Sequence, residues 1–175
     1  MWDFFETVRH RHSVRQYQTE RSIERNKLHA ILEAACAAPS AGDLQSYRIF
    51  VVTDAKRRQQ LSAASGNQVF IASAPVSLVF AAEGERAQSR YGARGASLFA
   101  VQDATIAASY AQLATVAAGL GSTWVGDFDE AAVRQVLGIE AELLPVAILA
   151  MGYAAQIPEP TPRRRLDDIV THLED

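Results

Sequence analysis

The sequence predicts an α+β fold, a mixed sheet with helices on both faces. Three observations carry this. Four segments rich in β-formers read as strands: Tyr47 to Val52, Val76 to Ala81, Thr123 to Val125 and Val146 to Met151. Helical patterns with capping residues separate them, and Gly or Pro marks most of the boundaries. At 175 residues, 49% of them hydrophobic, the chain suits one compact domain with a sizeable core.

The elements follow in order. Asp3 and Glu6 read as a capping box that opens a helix running towards Arg9 or Arg11. Ser22 is the candidate N-cap of a second helix, with an apolar stripe at Leu28, Ile31, Leu32 and Ala35, and Pro39 beyond its end. Asp54 caps a short helix through Leu61. Pro75 precedes the second strand. Ala96 to Leu120 is the longest helical pattern; it is rich in alanine, so another backbone can approach closely, and Gly119 and Gly121 supply its stop. It reads as a buried central helix, a dimer-interface helix, or both. Asp129 caps a helix through Leu137 that Gly138 closes, and Pro145 stands at the entry of the last strand. Residues 1–153 form the domain. Residues 154–175 read as its C-terminal arm: Ala154 to Pro162 holds three prolines, Arg163-Arg164-Arg165 follows, and Leu166, Ile169, Val170 and Leu173 need a surface such as a partner subunit.

Charge and composition narrow the function. Net charge is −3 with charged residues at 21%, which argues against disorder and against general nucleic-acid binding. The single cysteine, Cys36, allows no intrachain disulfide and is expected as a small buried core residue. The start, from Met1 to Glu6, lacks the basic and apolar regions of a secretory leader, and no apolar run reaches the length of a bilayer span. A cytoplasmic location without membrane attachment is expected.

No standard catalytic set stands out. There is no Gly-x-Gly-x-x-Gly and no Walker loop, and Gly119-Leu120-Gly121 follows a helix, not a strand. His10 and His12 would diverge on a helix and make poor metal ligands, and no metal site is expected. A chain without an acid–base set can leave its hard chemistry to a cofactor. Four segments carry the remaining signal. In Arg9 to Arg15, the residues Arg11, Ser13 and Arg15 alternate, so an extended backbone puts two guanidinium groups and a hydroxyl on one face, the makings of a phosphate clamp. The plain alternative is a solvated basic loop. Arg163-Arg164-Arg165 is a second basic cluster, either converging on the same anion or lying in solvent. The loop Ala38 to Tyr47 can present backbone groups with Asp43 and Gln45 to a flat heterocycle, or be an ordinary connection. In Gly119 to Phe128, Gly126 allows close backbone approach to a ligand while Trp124 and Phe128 offer apolar walls, unless they are simply a buried pair.

In this order, the four segments resemble the FMN-dependent nitroreductase family over nearly the whole chain, from Arg11 to Val170. The family's Arg-x-Ser-x-Arg pattern is seen as Arg11-His12-Ser13-Val14-Arg15. Its Ala-Pro-Ser-(Ala/Ser)-x-Asn-x-Gln-Pro-Trp loop matches Ala38 to Tyr47, and its Gly-Leu-Gly-x-x-(Trp)-x-Gly strand matches Gly119 to Gly126. The late basic pair is Arg163 and Arg165, before Leu166 to Val170. The resemblance implies an α+β sandwich, a central mixed and mainly antiparallel sheet flanked by helices, in an intertwined homodimer whose arms wrap the partner. It implies FMN as cofactor: Arg11, His12 and Ser13 on the phosphate and ribityl chain, Arg163 and Arg165 closing on the phosphate, and Arg15 near the flavin N1 and O2 edge. Asn67 and Gln68 would meet the pyrimidine edge, Pro39, Ser40 and Ala41 would come from the other subunit, and Trp124, Val125 and Gly126 would line the ring.

Departures are visible. Asp43 stands where asparagine is usual, and Ser46-Tyr47 replaces Pro-Trp. An ionised Asp43 would lower the flavin potential. The implied reaction is ping-pong: NADH or NADPH delivers a hydride and leaves, and a nitro compound, quinone or similar small-molecule acceptor takes its place. No side chain is assigned as a catalytic residue. Rival readings are a flavin-dependent dehydrogenase or dehalogenase on the same fold, a non-enzymatic flavin-binding protein, and a nucleic-acid-binding domain using the arginine clusters.

Overall fold

The computed structural model describes residues 3–173; Met1 and Trp2, the start of the segment read for a leader, lie outside them. Among the described residues, four strands form one sheet in the order β1 (Tyr47–Val52), β2 (Val76–Glu83), β4 (Leu143–Gly152), β3 (Gly121–Val125), with every neighbouring pair antiparallel. A single parallel bridge, Ser13 to Ser122, adds the basic segment outside β3.

Strand alternation divides the core into two layers. Val76, Leu78 and Phe80 of β2 and Ala147, Leu149 and Met151 of β4 face α2 (Arg25–Cys36) and α6 (Ala100–Ala117). Val79, Ile148 and Ala150 face the opposite side, against α3 (Ala55–Ala64), α4 (Val69–Ser73) and α7 (Glu130–Leu137). Both faces of the central strands are buried, so β2 and β4 read as continuous apolar runs without polar alternation. α6 packs on all four strands. Its buried face is Ala100, Ala104, Ala107, Ala108 and Ala111, small enough to let the helix lie close to the sheet.

The capping chemistry read from the sequence is largely present. Asp3 and Glu6 form the reciprocal box at α1 (Phe4–His10), Asp54 and Asp129 cap α3 and α7, and Gly138 closes α7 at φ 67°. Several expectations need correction. Ser22 does not cap α2: the helix starts at Arg25 with Glu24 as N-cap, because Ile23 packs on the core and keeps the chain extended to that point. Cys36 is exposed on this chain. It is the last residue of α2 and falls off the inward stripe ending at Ala35. Pro145 lies inside β4, opposite Ala81 at a register shift, where a bulge relieves the ladder of a missing N–H. The long helical pattern is divided, with a π-helical turn over Gly95–Phe99 before α6. α4 and α5 (Gly84–Arg94) were not anticipated: α4 is only five residues long, and α5 buries only Ala87 and so shows no apolar stripe.

After β4 the chain runs beside the basic segment, with a Tyr17–Ala154 bridge and the Ala155 N–H donating to the Gln16 carbonyl at 2.8 Å. From Glu159 onward the described residues are exposed, including Leu166, Ile169 and Leu173 at 72%, 63% and 95%. Among the described residues, no helix is long and apolar enough to cross a membrane.

Candidate functional site

The basic segment is extended and bolted to β3. The Val14 N–H donates to the Ser122 carbonyl at 3.0 Å, and the Val14 carbonyl accepts from Tyr17 Oη at 2.7 Å and from Thr123 Oγ1. Tyr17 Oη also lies 2.9 Å from the Ala150 carbonyl. The Val14 side chain is buried, and alternation turns Arg11, Ser13 and Arg15 the other way. Arg11, His12 and Ser13 are half-buried and Arg15 is exposed.

The second basic cluster is split. Burial holds the Arg11 guanidinium below its ordinary value, and the charge of Arg163, from the far end of the sequence, adds to this. Arg165 instead pairs with Asp167 at 3.4 Å in full exposure, and Arg164 donates to the Asp168 carbonyl. Among the described residues, neither Arg11 nor Arg163 is paired with a carboxylate.

Asn67 and Gln68 lead into α4, whose Phe70 meets this segment. Arg15 Cζ stands 5.7 Å from the centre of the Phe70 ring, which lies two residues beyond Gln68. Gly66 and Asn67 both have positive φ, 65° and 59°, so the chain turns sharply and leaves Asn67 exposed. Ser62 Oγ holds the turn by donating to the Gln68 carbonyl at 2.9 Å.

Trp124, Val125 and Gly126 end β3. Trp124 is half-buried and packs with the α2–α6 layer, whereas Val125 is buried in the opposite layer, as alternation requires. The two side chains lie on opposite faces of the sheet, so Val125 would offer its backbone, not its side chain, to a ligand on the Trp124 side. Phe128 belongs to the Val125 layer, so it and Trp124 are not the two walls of one slot. Gly126 is exposed.

The loop Ala38 to Tyr47 is heavily constrained. Gly42, Asp43 and Gln45 have φ of 57°, 55° and 48°. Asp103 of α6, almost fully buried, accepts from the Ala41 N–H at 2.9 Å and the Ser46 N–H at 3.2 Å. Ser40 Oγ accepts from the Gln45 N–H at 2.9 Å, and α5 clamps the outside, Arg90 Nη1 donating to the Gly42 carbonyl at 3.0 Å and Arg86 Nε to that of Leu44. Asp43 points to solvent. Pro39, Ser40 and Ala41 line a cleft of about 560 Å³ with Phe99, Val101 and Ile106, within the size range of small-molecule sites.

The two halves lie apart. The loop feeds β1 and the basic segment flanks β3, the opposite edges of the sheet. Three strand spacings, about 14 Å, separate those edges. Asp103 and the α5 arginines were missed by sequence reasoning. Asp103 left a signal, a carboxylate within an apolar helix; Arg86 and Arg90 left none, because their partners are backbone carbonyls more than 40 residues away.

The model of the Nitroreductase family matches residues 8–84 and 56–153. An NADH dehydrogenase of Thermus thermophilus is 31% identical over 91% of this chain and 91% of its own. An FMN reductase (NADPH) of Bacillus subtilis is 27% identical over 90% of this chain and 68% of its own. The solved structure of an NADPH:FMN oxidoreductase from Vibrio harveyi, complexed with NAD+, superposes with a TM-score of 0.88 at 27% identity, covering 98% of this chain and 77% of that one. The chain belongs to the nitroreductase family.

Proposed function

We propose that this chain is an FMN-dependent NAD(P)H oxidoreductase that works as a dimer, reducing nitro compounds, quinones or similar small acceptors. The observation that carries the reading is half-buried Arg11, which feels the charge of Arg163 and, among the described residues, pairs with no carboxylate. Two like charges held together without a counter-ion are a cost to the folded chain unless an anion joins them. A phosphate monoester fits that donor set, since each guanidinium offers forked, charge-assisted hydrogen bonds. Relatives named FMN reductase and NADPH-flavin oxidoreductase support the cofactor and the electron donor.

Roles follow from position. Arg11, His12, Ser13 and Arg163 hold the phosphate and the chain next to it, and Arg165 swings from Asp167 to join them. Arg15, over the Phe70 ring just past Asn67 and Gln68, places a cation at one edge of the flavin. Such a cation stabilises negative charge that develops there. Gly126 leaves the backbone bare, and Trp124 supplies apolar surface next to it. Pro39, Ser40 and Ala41 come from a second copy, because one chain places them on the far sheet edge. The apolar arm beyond Ile157 covers that second copy and excludes water from the slot. Bound FMN supplies the hydride chemistry between donor and acceptor, and no side chain is assigned as acid or base.

The test is an absorption spectrum of the protein reconstituted with FMN and desalted, then mixed with NADH or NADPH without air. Retained flavin bands that bleach support the reading. Loss of all flavin on desalting would sink it, and retained flavin that no nicotinamide bleaches would leave a flavin-binding protein with another role.

A further inference from the structure

α5 concentrates positive charge in an acidic chain: Arg86, Arg90 and Arg94 fall within 11 residues. Among the described residues, none of the three is paired with a carboxylate. Arg86 and Arg90 each spend one donor on a loop carbonyl, at Leu44 and Gly42. A guanidinium has five N–H groups, so most of theirs stay available. Arg94 follows the kink at Gly92 and stands over the Phe99 ring, its Cζ 5.6 Å from the centroid. Tyr91 meets the same ring edge-on at 5.2 Å. Phe99 in turn lines the cleft with Pro39, Ser40 and Ala41. It is carried there by the π-helical turn, a distortion that recurs at functional sites.

We propose that these α5 arginines read the 2′-phosphate of NADPH, so that the chain discriminates NADPH from NADH. The inference rests on the reading that Pro39 to Ala41 flank the flavin, which makes their cleft the approach for the electron donor. NADPH differs from NADH by one phosphate monoester, which carries close to two negative charges near neutral pH. Guanidinium groups match it, and the Tyr91–Phe99 pair gives an aromatic surface for the adjoining base. The opposite preference calls for a carboxylate to accept from the free ribose hydroxyl. The one carboxylate of α5, Glu85, does not serve this cleft; it lies with Glu83, Glu140 and Glu142 in a separate recess around Arg48.

Two measurements on the full-length, flavin-loaded protein test this. The first is calorimetric binding of 2′,5′-ADP against 5′-AMP, which needs no redox turnover. The wild-type chain should bind 2′,5′-ADP at least about tenfold more tightly, and Arg94→Ala should cut that ratio to about threefold or less, with Arg94→Lys in between. The second is the ratio of KM for NADH to KM for NADPH, which should fall by a similar factor in Arg94→Ala. A thermal melt of each variant checks that it folds. Equal affinity for the two nucleotides, or a preference that survives Arg94→Ala, overturns the proposal. Selective 2′,5′-ADP binding without any NAD(P)H oxidation would sink the proposed reaction and leave this site standing. Oxidation of NADH and NADPH at equal KM would do the reverse.

Discussion

Gly121 leaves the space that Val14 occupies. A Cβ built on Gly121 would lie 2.6 Å from Val14 Cγ2, closer than real Cβ atoms come to anything. The contact explains why a glycine starts β3: it lets the basic segment press against the strand so that Val14 is buried and Arg11, Ser13 and Arg15 turn outward.

Gly121→Ala is therefore expected to push Val14 out and move the whole segment. The cost to stability should be about 1–3 kcal/mol, typical of overpacking. FMN retention should fall with it. Val14→Ala alone removes buried methyl groups and also destabilises, but the double variant should recover flavin affinity relative to Gly121→Ala. Melting temperatures and FMN titrations of the three variants decide this. Additive losses in the double variant would show that the two positions do not act through their contact.

Asp103 gives a second prediction. Its buried carboxylate holds both ends of the Ala41–Ser46 turn through backbone N–H groups. Asp103→Ala leaves two donors unsatisfied and should cost about 2–5 kcal/mol. Asp103→Asn keeps one acceptor and should cost less. If the loop forms part of the flavin slot, both variants should release FMN faster than the wild type at a temperature where they remain folded. Folded variants with unchanged release rates would mean that the loop does not touch the cofactor.

The sequence made the strands and caps legible because each carries a local signature. The Asp3–Glu6 box, Asp54, Asp129 and Gly138 act within a few residues, and Tyr47–Val52 is bounded as its composition suggests. The basic segment was legible because alternation alone orients Arg11, Ser13 and Arg15. Other features depend on distant partners. Gly121 read as a helix stop, whereas its need for no side chain comes from Val14, over 100 residues away. Trp124 and Val125 were grouped by adjacency in a motif, but the strand puts them on opposite faces. α5 was invisible because its arginines bind carbonyls of a loop and it buries little of its own surface.

Tyr17 sets an alkaline limit on the fold. Burial raises its phenol well above the ordinary value of 10.0, although Thr123 and the charge of Arg15 oppose the shift. The folded chain therefore keeps a proton that the unfolded chain loses. Stability from this group is complete below pH 10 and declines as pH rises beyond it. The urea midpoint should drop between pH 8 and about pH 11. Tyr17→Phe should lower the unfolding free energy at pH 8 by about 1 kcal/mol for each lost hydrogen bond, lowering the midpoint with it, and should flatten the alkaline decline. An equally steep decline in Tyr17→Phe would assign it to another group.

The arm and the arginines it carries can be tested separately. Truncation after Tyr153 removes Arg163 together with exposed Ile157, Leu166, Ile169 and Leu173. If those side chains cover a second copy, the truncated chain should lose both dimer stability and flavin, as read by sedimentation and desalting. A truncated chain that still forms a flavin-loaded dimer would contradict that role for the arm.

Arg11→Ala isolates the charge contribution. FMN carries a phosphate that riboflavin lacks, so the ratio of their affinities measures the phosphate contacts alone. The wild-type ratio should be large. Arg11→Ala should reduce it by about 10- to 100-fold, the worth of one charge-assisted contact of about 1.5–3 kcal/mol. Arg163→Ala should act in the same direction. The effect of both together should be less than the sum of the two if they share one anion, because removing either cation also relieves its repulsion of the other. A ratio that Arg11→Ala leaves unchanged would mean that the phosphate binds elsewhere.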